Sequence, residues 1–308
     1  MSNLTCNINN EWNTLRKIIV GIANSWGPIP TAQQALDPKS REHVLAGTYP
    51  IASDVQEELE GLATLLRENG VDVFRPENSL DLNQVFVRDV GVVIENKLIR
   101  SSMIAERAPE WKGINGIFSH LSSEHILIPP SGVRIEGGDI MPMEDEIWVG
   151  YSEKEDFLKH RTARTNKPAI IWLQEMFPEK FVRGFQLQKS DTDPQNNALH
   201  LDCCLCPQSG GQVVFHAGGL KQESDIAWIR NRFAENIYEV DAEAMYHMRC
   251  NLLTISPDTM ISGQGFDDVN AQLRAWGYKV LETPFNEAAK LGGLLRCATL
   301  PIERNIHG

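Results

Sequence analysis

The strongest constraint on this chain is a cassette that recurs along it: an apolar helical stripe, a stop, then a short apolar strand. The clearest copy opens at Ser53, where Ser53 and Gln56 have capping-box spacing. Val55, Leu59, Leu62 and Leu66 fall on one helical face, Gly70 can supply a left-handed stop, and Val71 to Phe74 reads as a strand. Further on, Phe266, Val269, Leu273 and Trp276 form the stripe, Gly277 ends it, and Tyr278 to Glu282 is the strand. Weaker copies close on strands near Ile126 to Ile128, Phe185 to Leu187 and Ile237 to Val240. Their spacing of roughly 40 to 55 residues leaves room for one supersecondary unit per repeat.

Each cassette leads into a short segment with unusual chemistry. In order these are Val87-Arg88-Asp89, Glu136-Gly137-Gly138-Asp139, His200-Leu201-Asp202, Arg249-Cys250-Asn251 and Arg296-Cys297. If the units stand around an axis, equivalent positions converge there. The pattern predicts a closed, propeller-like α/β array over residues 1–308, one catalytic domain. An open doubly wound sheet is the alternative.

Composition narrows the partners. The 308 residues carry a net charge of −12, which repels phosphate backbones and anionic membranes and suits a cationic small molecule better. Nucleic acid and membrane are therefore not expected as partners; a homo-oligomer is compatible with the sequence. The opening Met1 to Cys6 has neither a basic nor an apolar region of a signal peptide, and no apolar run approaches the ~20 residues of a membrane span. Six cysteines in 308 residues are too sparse for a disulfide scaffold. The expected setting is cytoplasmic and reducing, where a free thiol can react.

Cys297 follows Gly292-Gly293-Leu294-Leu295-Arg296, glycines that let backbone approach a ligand. It reads either as a nucleophile whose thiolate Arg296 favours or as a buried strand cysteine. His200 and Asp202 would share one face of a strand with Cys204 and Cys206. Histidine is the usual partner of a catalytic cysteine, although a satisfied core histidine fits the same pattern. Glu136, beside two glycines, suits close approach to a ligand or to His200; a tight turn with solvated acids is the plain alternative. Arg88-Asp89 interrupts an otherwise apolar strand, and acids inside buried strands are uncommon unless paired. A metal-binding module on His200, Cys203, Cys204 and Cys206 is a separate reading, weakened because Cys-Cys-Leu-Cys lacks paired-ligand spacing.

Taken together, these residues resemble the guanidino-group modifying enzymes: arginine deiminases, glycine amidinotransferases and dimethylarginine dimethylaminohydrolases. The resemblance begins at Asn10-Glu11-Trp12, Leu15 and Ile18-Ile19-Val20-Gly21. It continues through Arg88-Asp89, Glu136-Gly137-Gly138-Asp139, Arg164-Thr165-Asn166 and His200-Leu201-Asp202, and ends at Gly292-Gly293 and Arg296-Cys297-Ala298-Thr299. It implies a five-bladed α/β propeller of the pentein type with its site on the axis. It further implies Cys297 as nucleophile, His200 as general acid/base and Glu136 as the acid that orients it. Asp89 and Asp202 would clamp the substrate's guanidinium, Asn197 would contact substrate, and Arg164 and Arg296 would grip a carboxylate. No metal and no cofactor is called for.

The opening Asn10-Glu11-Trp12 is similar to amidinotransferases, whereas the Glu136 and Arg164 motifs look like the hydrolases. Arg88 and Asp202 depart from the dimethylaminohydrolase pattern. The expectation is hydrolysis of an unsubstituted guanidine, L-arginine or a close relative, with amidino transfer to an amine as runner-up. The segments Trp26 to Pro50 and Ser102 to Gly116 are candidate lids.

Overall fold

The structure, a computed structural model, describes residues 5–305. The first four residues of the opening segment considered above for a leader lie outside them. Five three-stranded sheets repeat one plan. The second unit shows it: β3 (Gly91–Ile94) pairs antiparallel with β4 (Lys97–Arg100), and β4 pairs parallel with β5 (Ile126–Leu127) after a helical crossover. The third unit repeats it with β6 (Ile140–Met143), β7 (Glu146–Tyr151) and β8 (Phe181–Gln186). The fourth uses β9 (Leu205–Pro207), β10 (Val213–Phe215) and β11 (Ile237–Glu239), and the fifth β12 (Leu253–Ser256), β13 (Thr259–Gly263) and β14 (Lys279–Thr283). The first unit is made from both ends of the chain. β1 (Leu15–Val20) pairs parallel with β2 (Asp72–Phe74) and antiparallel with β15 (Thr299–Arg304). The mixed α/β architecture expected from the cassettes is present, with five units; it is not an open doubly wound sheet.

The five apolar strands read from the sequence are the third, parallel strand of each unit. Parallel strands need a long crossover, which is why a helix precedes each of them. The crossover of the first unit holds α1 (Pro38–Leu45) and α2 (Ala52–Glu68). On α2, Val55, Leu59, Leu62 and Leu66 are fully buried against the core that includes Ile18 and Val20. Gly70 (φ 79°) and Gly277 (φ 93°) take the left-handed stops that their positions demanded.

Two local expectations are corrected. Ser53 does not cap α2: the N-cap is Ile51, and Ser53 Oγ bonds Asp54. Gln56 is spent elsewhere, its Oε1 accepting the Ala23 N–H at 2.6 Å, which ties α2 to the exit of β1. The segments around Asp89 and His200 are not strands either. Each is a 3-10 turn, Val87–Val90 and Leu201–Cys203, set just before the first strand of its unit. Asp139 Oδ1 accepts the Leu201 N–H at 3.0 Å, a carboxylate from the neighbouring unit that favours the turn over extension.

This turn position is the feature that places the site. Asp89, Glu136, His200, Asn251 and Cys297 each lie within a few residues before the first strand of successive units. The turn Val87–Val90 packs on Gly137–Asp139, and that one on Leu201–Cys203. Among the described residues no helix is long and apolar enough to cross a membrane.

Candidate active site

A cavity of about 480 Å³ opens over these turns, and Asp89, His200 and Cys297 line it together. His200 is 1% exposed. Its Nε2 lies 2.8 Å from Glu136 Oε2 and its Nδ1 3.4 Å from Asp89 Oδ1. Burial alone would depress the imidazole, but Asp89, Asp139 and Glu136 outweigh it and raise the group to about 9. His200 is thus an imidazolium at neutral pH. Burial pushes the Glu136 carboxyl up, yet Arg164 and His200 hold it well below the usual carboxylate range. It is a permanent anion behind the imidazole. Two glycines allow this closeness. A Cβ on Gly138 would stand 2.6 Å from Asp89 Oδ1 and 2.8 Å from His200 Cγ. One on Gly137 would stand 2.1 Å from the Arg88 carbonyl oxygen, in contact with backbone that cannot give way.

On the other side of the cavity, Asn251 braces the thiol twice. Its Nδ2 donates to Cys297 Sγ at 3.1 Å, and its Oδ1 accepts the Cys297 N–H at 3.1 Å. Both Asp202 oxygens lie 3.7–3.8 Å from the sulfur. Burial, then Asp202, Cys203 and Asp89, push the thiol far above its ordinary value. These surroundings favour the thiol over the thiolate, and a cation beside the sulfur would oppose them.

Several tail-binding expectations do not survive the geometry. Arg296, expected at a substrate carboxylate, is not among the residues lining the cavity and does not face the sulfur as a free cation. It is buried beneath Cys297, bidentate to Glu11 (2.9 and 3.2 Å) and bonded to Asp202 Oδ2 at 2.7 Å. Asp202 is thereby neutralised from behind and does not line the cavity. Asn197 lines a smaller neighbouring cleft, and its Oδ1 accepts the Ser190 N–H. Arg164 does line the cavity, but its Nη1 pairs with Glu136 at 3.2 Å and its Nη2 donates to the Leu36 carbonyl. The reason is common to the two arginines: buried carboxylates need internal counter-charges, and the nearest guanidinium supplies them. Both candidate lid segments contribute cavity wall, including Asp37 from the first and Arg107 from the second.

Sequence reasoning passed over Asn251 and Arg107 as site residues. Asn251 occupied the fourth of the five equivalent positions, a signal present in the repeat itself. Arg107 donates to Asp89 Oδ2 at 2.6 Å and bidentately to Glu110, and no motif marks it. The thiol metal module is not formed. Among the described residues, the one group of ligand atoms gathered within 4.8 Å is Asp89, Glu136 and His200. Burial raises Cys203, Cys204 and Cys206, which keeps these thiols neutral. Asp89 and Glu136 could hold a cation with His200, but Arg107 and Arg164 already balance them.

A family model described as N,N dimethylarginine dimethylhydrolase, eukaryotic, matches residues 37–304. The uncharacterized protein YkgA of Bacillus subtilis is 30% identical over 248 residues, 79% of this chain and 78% of that one. The bifunctional arginine dihydrolase/ornithine cyclodeaminase ArgZ of Synechocystis sp. is 30% identical over 247 residues, 77% of this chain and 32% of ArgZ. The chain therefore spans about a third of that bifunctional protein. The N-terminal domain of ArgZ, solved bound to product, superposes with a TM-score of 0.77 at 19% identity over 96% of this chain and 100% of that domain. The inosamine-phosphate amidinotransferase of Streptomyces griseus gives 0.75 at 18% identity over 98% and 97%. These two superpositions establish the shared fold.

Proposed function

From the premise that this chain belongs to the N,N dimethylarginine dimethylhydrolase family, we propose that it is a cysteine-dependent hydrolase of the guanidino group of L-arginine or a close analogue. One observation carries the reading. A thiol, an imidazolium held by a buried carboxylate, and a further carboxylate with one unbonded oxygen face a single cavity from equivalent turns of the fold.

A guanidinium is planar and charged at any ordinary pH, and its central carbon is a poor electrophile. Asp89 is placed to take its N–H groups: Oδ1 is buried with no hydrogen-bond partner. The cation's arrival supplies the positive charge that Cys297 lacks, so its thiol ionises in the complex and gives its proton to solvent, His200 being already protonated. The thiolate attacks the central carbon, forming a C–S bond. His200 passes its proton to the departing nitrogen, the C–N bond breaks, and ammonia leaves from an unsubstituted guanidine. A thiouronium remains on Cys297. Water then attacks the same carbon and gives one proton to the now neutral His200; the remaining hydroxyl proton passes to sulfur as the C–S bond breaks, which releases a ureido product and restores the thiol. No step here draws on a metal or cofactor. Asn251 holds the reacting sulfur itself through Nδ2, whereas Arg296 holds Asp202 and touches no reacting atom. The free, buried state of all six thiols fits the cytoplasmic setting we propose.

Cys297→Ser should abolish ammonia release while far-UV circular dichroism stays that of the parent, since the buried volume hardly changes. Ammonia release retained in that variant defeats the nucleophile assignment. Assays of L-arginine and dimethylarginine for ammonia, dimethylamine, ureido product and ornithine, with and without an amine acceptor, separate hydrolysis from transfer. Acceptor-dependent ornithine would select the transferase.

A further inference from the structure

A second cavity, of about 230 Å³, lies behind the wall of the catalytic one. Two stretches of chain form the partition. From α1 and its cap, Asp37 and Ser40 line the catalytic cavity, whereas Lys39 and His43 line the second. Ahead of Cys297, Leu291 and Gly292 line the first, whereas Lys290 and Leu294 line the second. Among the described residues none belongs to both walls.

The second wall carries bases without acids. In a chain of net charge −12, it holds Lys39, His43, His247 and Lys290, and among the described residues that line it no carboxylate. The acids close by are spent: Glu42 Oε1 accepts the Tyr246 hydroxyl at 2.7 Å, and Glu287 pairs with Lys290 at 2.6 Å. Lys39 is the base left over. It is only 6% exposed. Its Nζ donates to the Tyr246 carbonyl at 2.5 Å, sits 4.5 Å over the Tyr246 ring, and among the described residues forms no ion pair. A buried cation without a counter-ion is costly, and an anion that joins it offsets that cost. Burial lowers Lys39 to about 8 against the pull of Asp37, so it is still a cation at neutral pH. Its field reaches across the cavity: burial and then Lys39 lower both His43 and His247.

The rest of the wall is apolar, with Phe266, Phe285 and Leu294. Inorganic phosphate would leave those side chains unmatched, and a drug-sized ligand needs a cavity of roughly 300 Å³ or more. We propose that this second cavity binds a small aromatic carboxylate, its acid group on Lys39 and its ring against Phe266 and Phe285. The site is separate from the one that takes the guanidinium, and it does not depend on the hydrolase reading.

Isothermal titration calorimetry of the full chain with phenylacetate, phenylacetamide, acetate and inorganic phosphate separates the charge from the ring. Phenylacetate should bind at least about tenfold tighter than each of the others, the scale of one charge-assisted contact. Lys39→Gln keeps a donor for the Tyr246 carbonyl and removes the charge, so it should weaken phenylacetate about tenfold. Any of the other three compounds binding as tightly as phenylacetate, or an affinity unmoved in Lys39→Gln, overturns the proposal. Because Lys39 is buried, a measurement on the parent protein stands beside the variant: crystals soaked in 4-bromophenylacetate, with the ligand located by the anomalous signal of bromine. Bromine beside Phe266 and Phe285 supports the site. Bromine only over His200 and Cys297, or at neither place, overturns it.

Discussion

At the scale of residues, His200 is held by three carboxylates, and this sets a pH dependence. In the proposed mechanism its proton is the one the departing nitrogen takes. Because the group is raised to about 9, kcat/KM should hold through neutral pH and fall as pH rises past about 9. Glu136→Gln removes one of the opposing charges and should bring that limb down toward about 8, the scale of one neighbouring charge. A limb that stays in place in this variant shows that another group supplies the proton. The same shift bears on stability. A raised histidine stabilises the fold fully below its unfolded value of about 6.5 and ceases to as pH climbs through about 9. Cys297, His200, Glu136 and Asp89 were legible in the sequence because each broke the pattern of its cassette. The arginines were not. Whether Arg164 or Arg296 serves a ligand or an internal carboxylate depends on which acids end up buried beside it, and that is settled only by packing.

At the scale of elements, the cassettes were read as helices leading into apolar strands, since periodicity reports burial directly; that each strand is the third of its unit came from the structure. The turns were missed, because a 3-10 turn of three or four residues has no periodicity to read. The Asp139 carboxylate that holds the turn at Leu201 comes from another unit. The opening Asn10-Glu11-Trp12, read as transferase-like, has a scaffolding task here: Glu11 anchors the Arg296 guanidinium beneath Cys297. Gly138 gives the sharpest test of the turns. Gly138→Ala should lower kcat/KM by about 100-fold or more, since displacing catalytic groups by an ångström has that scale. The added methyl must push either Asp89 or His200 aside. Parent-like kinetics would mean the turn has slack that the geometry does not show. By contrast Leu59→Ala, in the core and not on the cavity wall, should cost about 2–5 kcal/mol in chemical denaturation and leave KM alone.

At the scale of the whole molecule, β15 returns to β1, and the clasp is reinforced by Arg304. Its Nη1 donates to the Asn13 carbonyl at 2.5 Å and its Nη2 to the Thr254 carbonyl at 2.8 Å, joining the first and fifth units. Ile302→Ala, fully buried on that strand, should therefore lower the denaturation midpoints of activity and of circular dichroism together. Activity lost at clearly lower denaturant would show that the clasp opens while the other units stand. Only Ala298 separates Cys297 from β15. A polypeptide with four units assembled already has its proton donor in place but presents no sulfur to it. Under the proposed mechanism, arming the enzyme and fastening its two ends are one event, and a copy with its ends apart should be chemically silent.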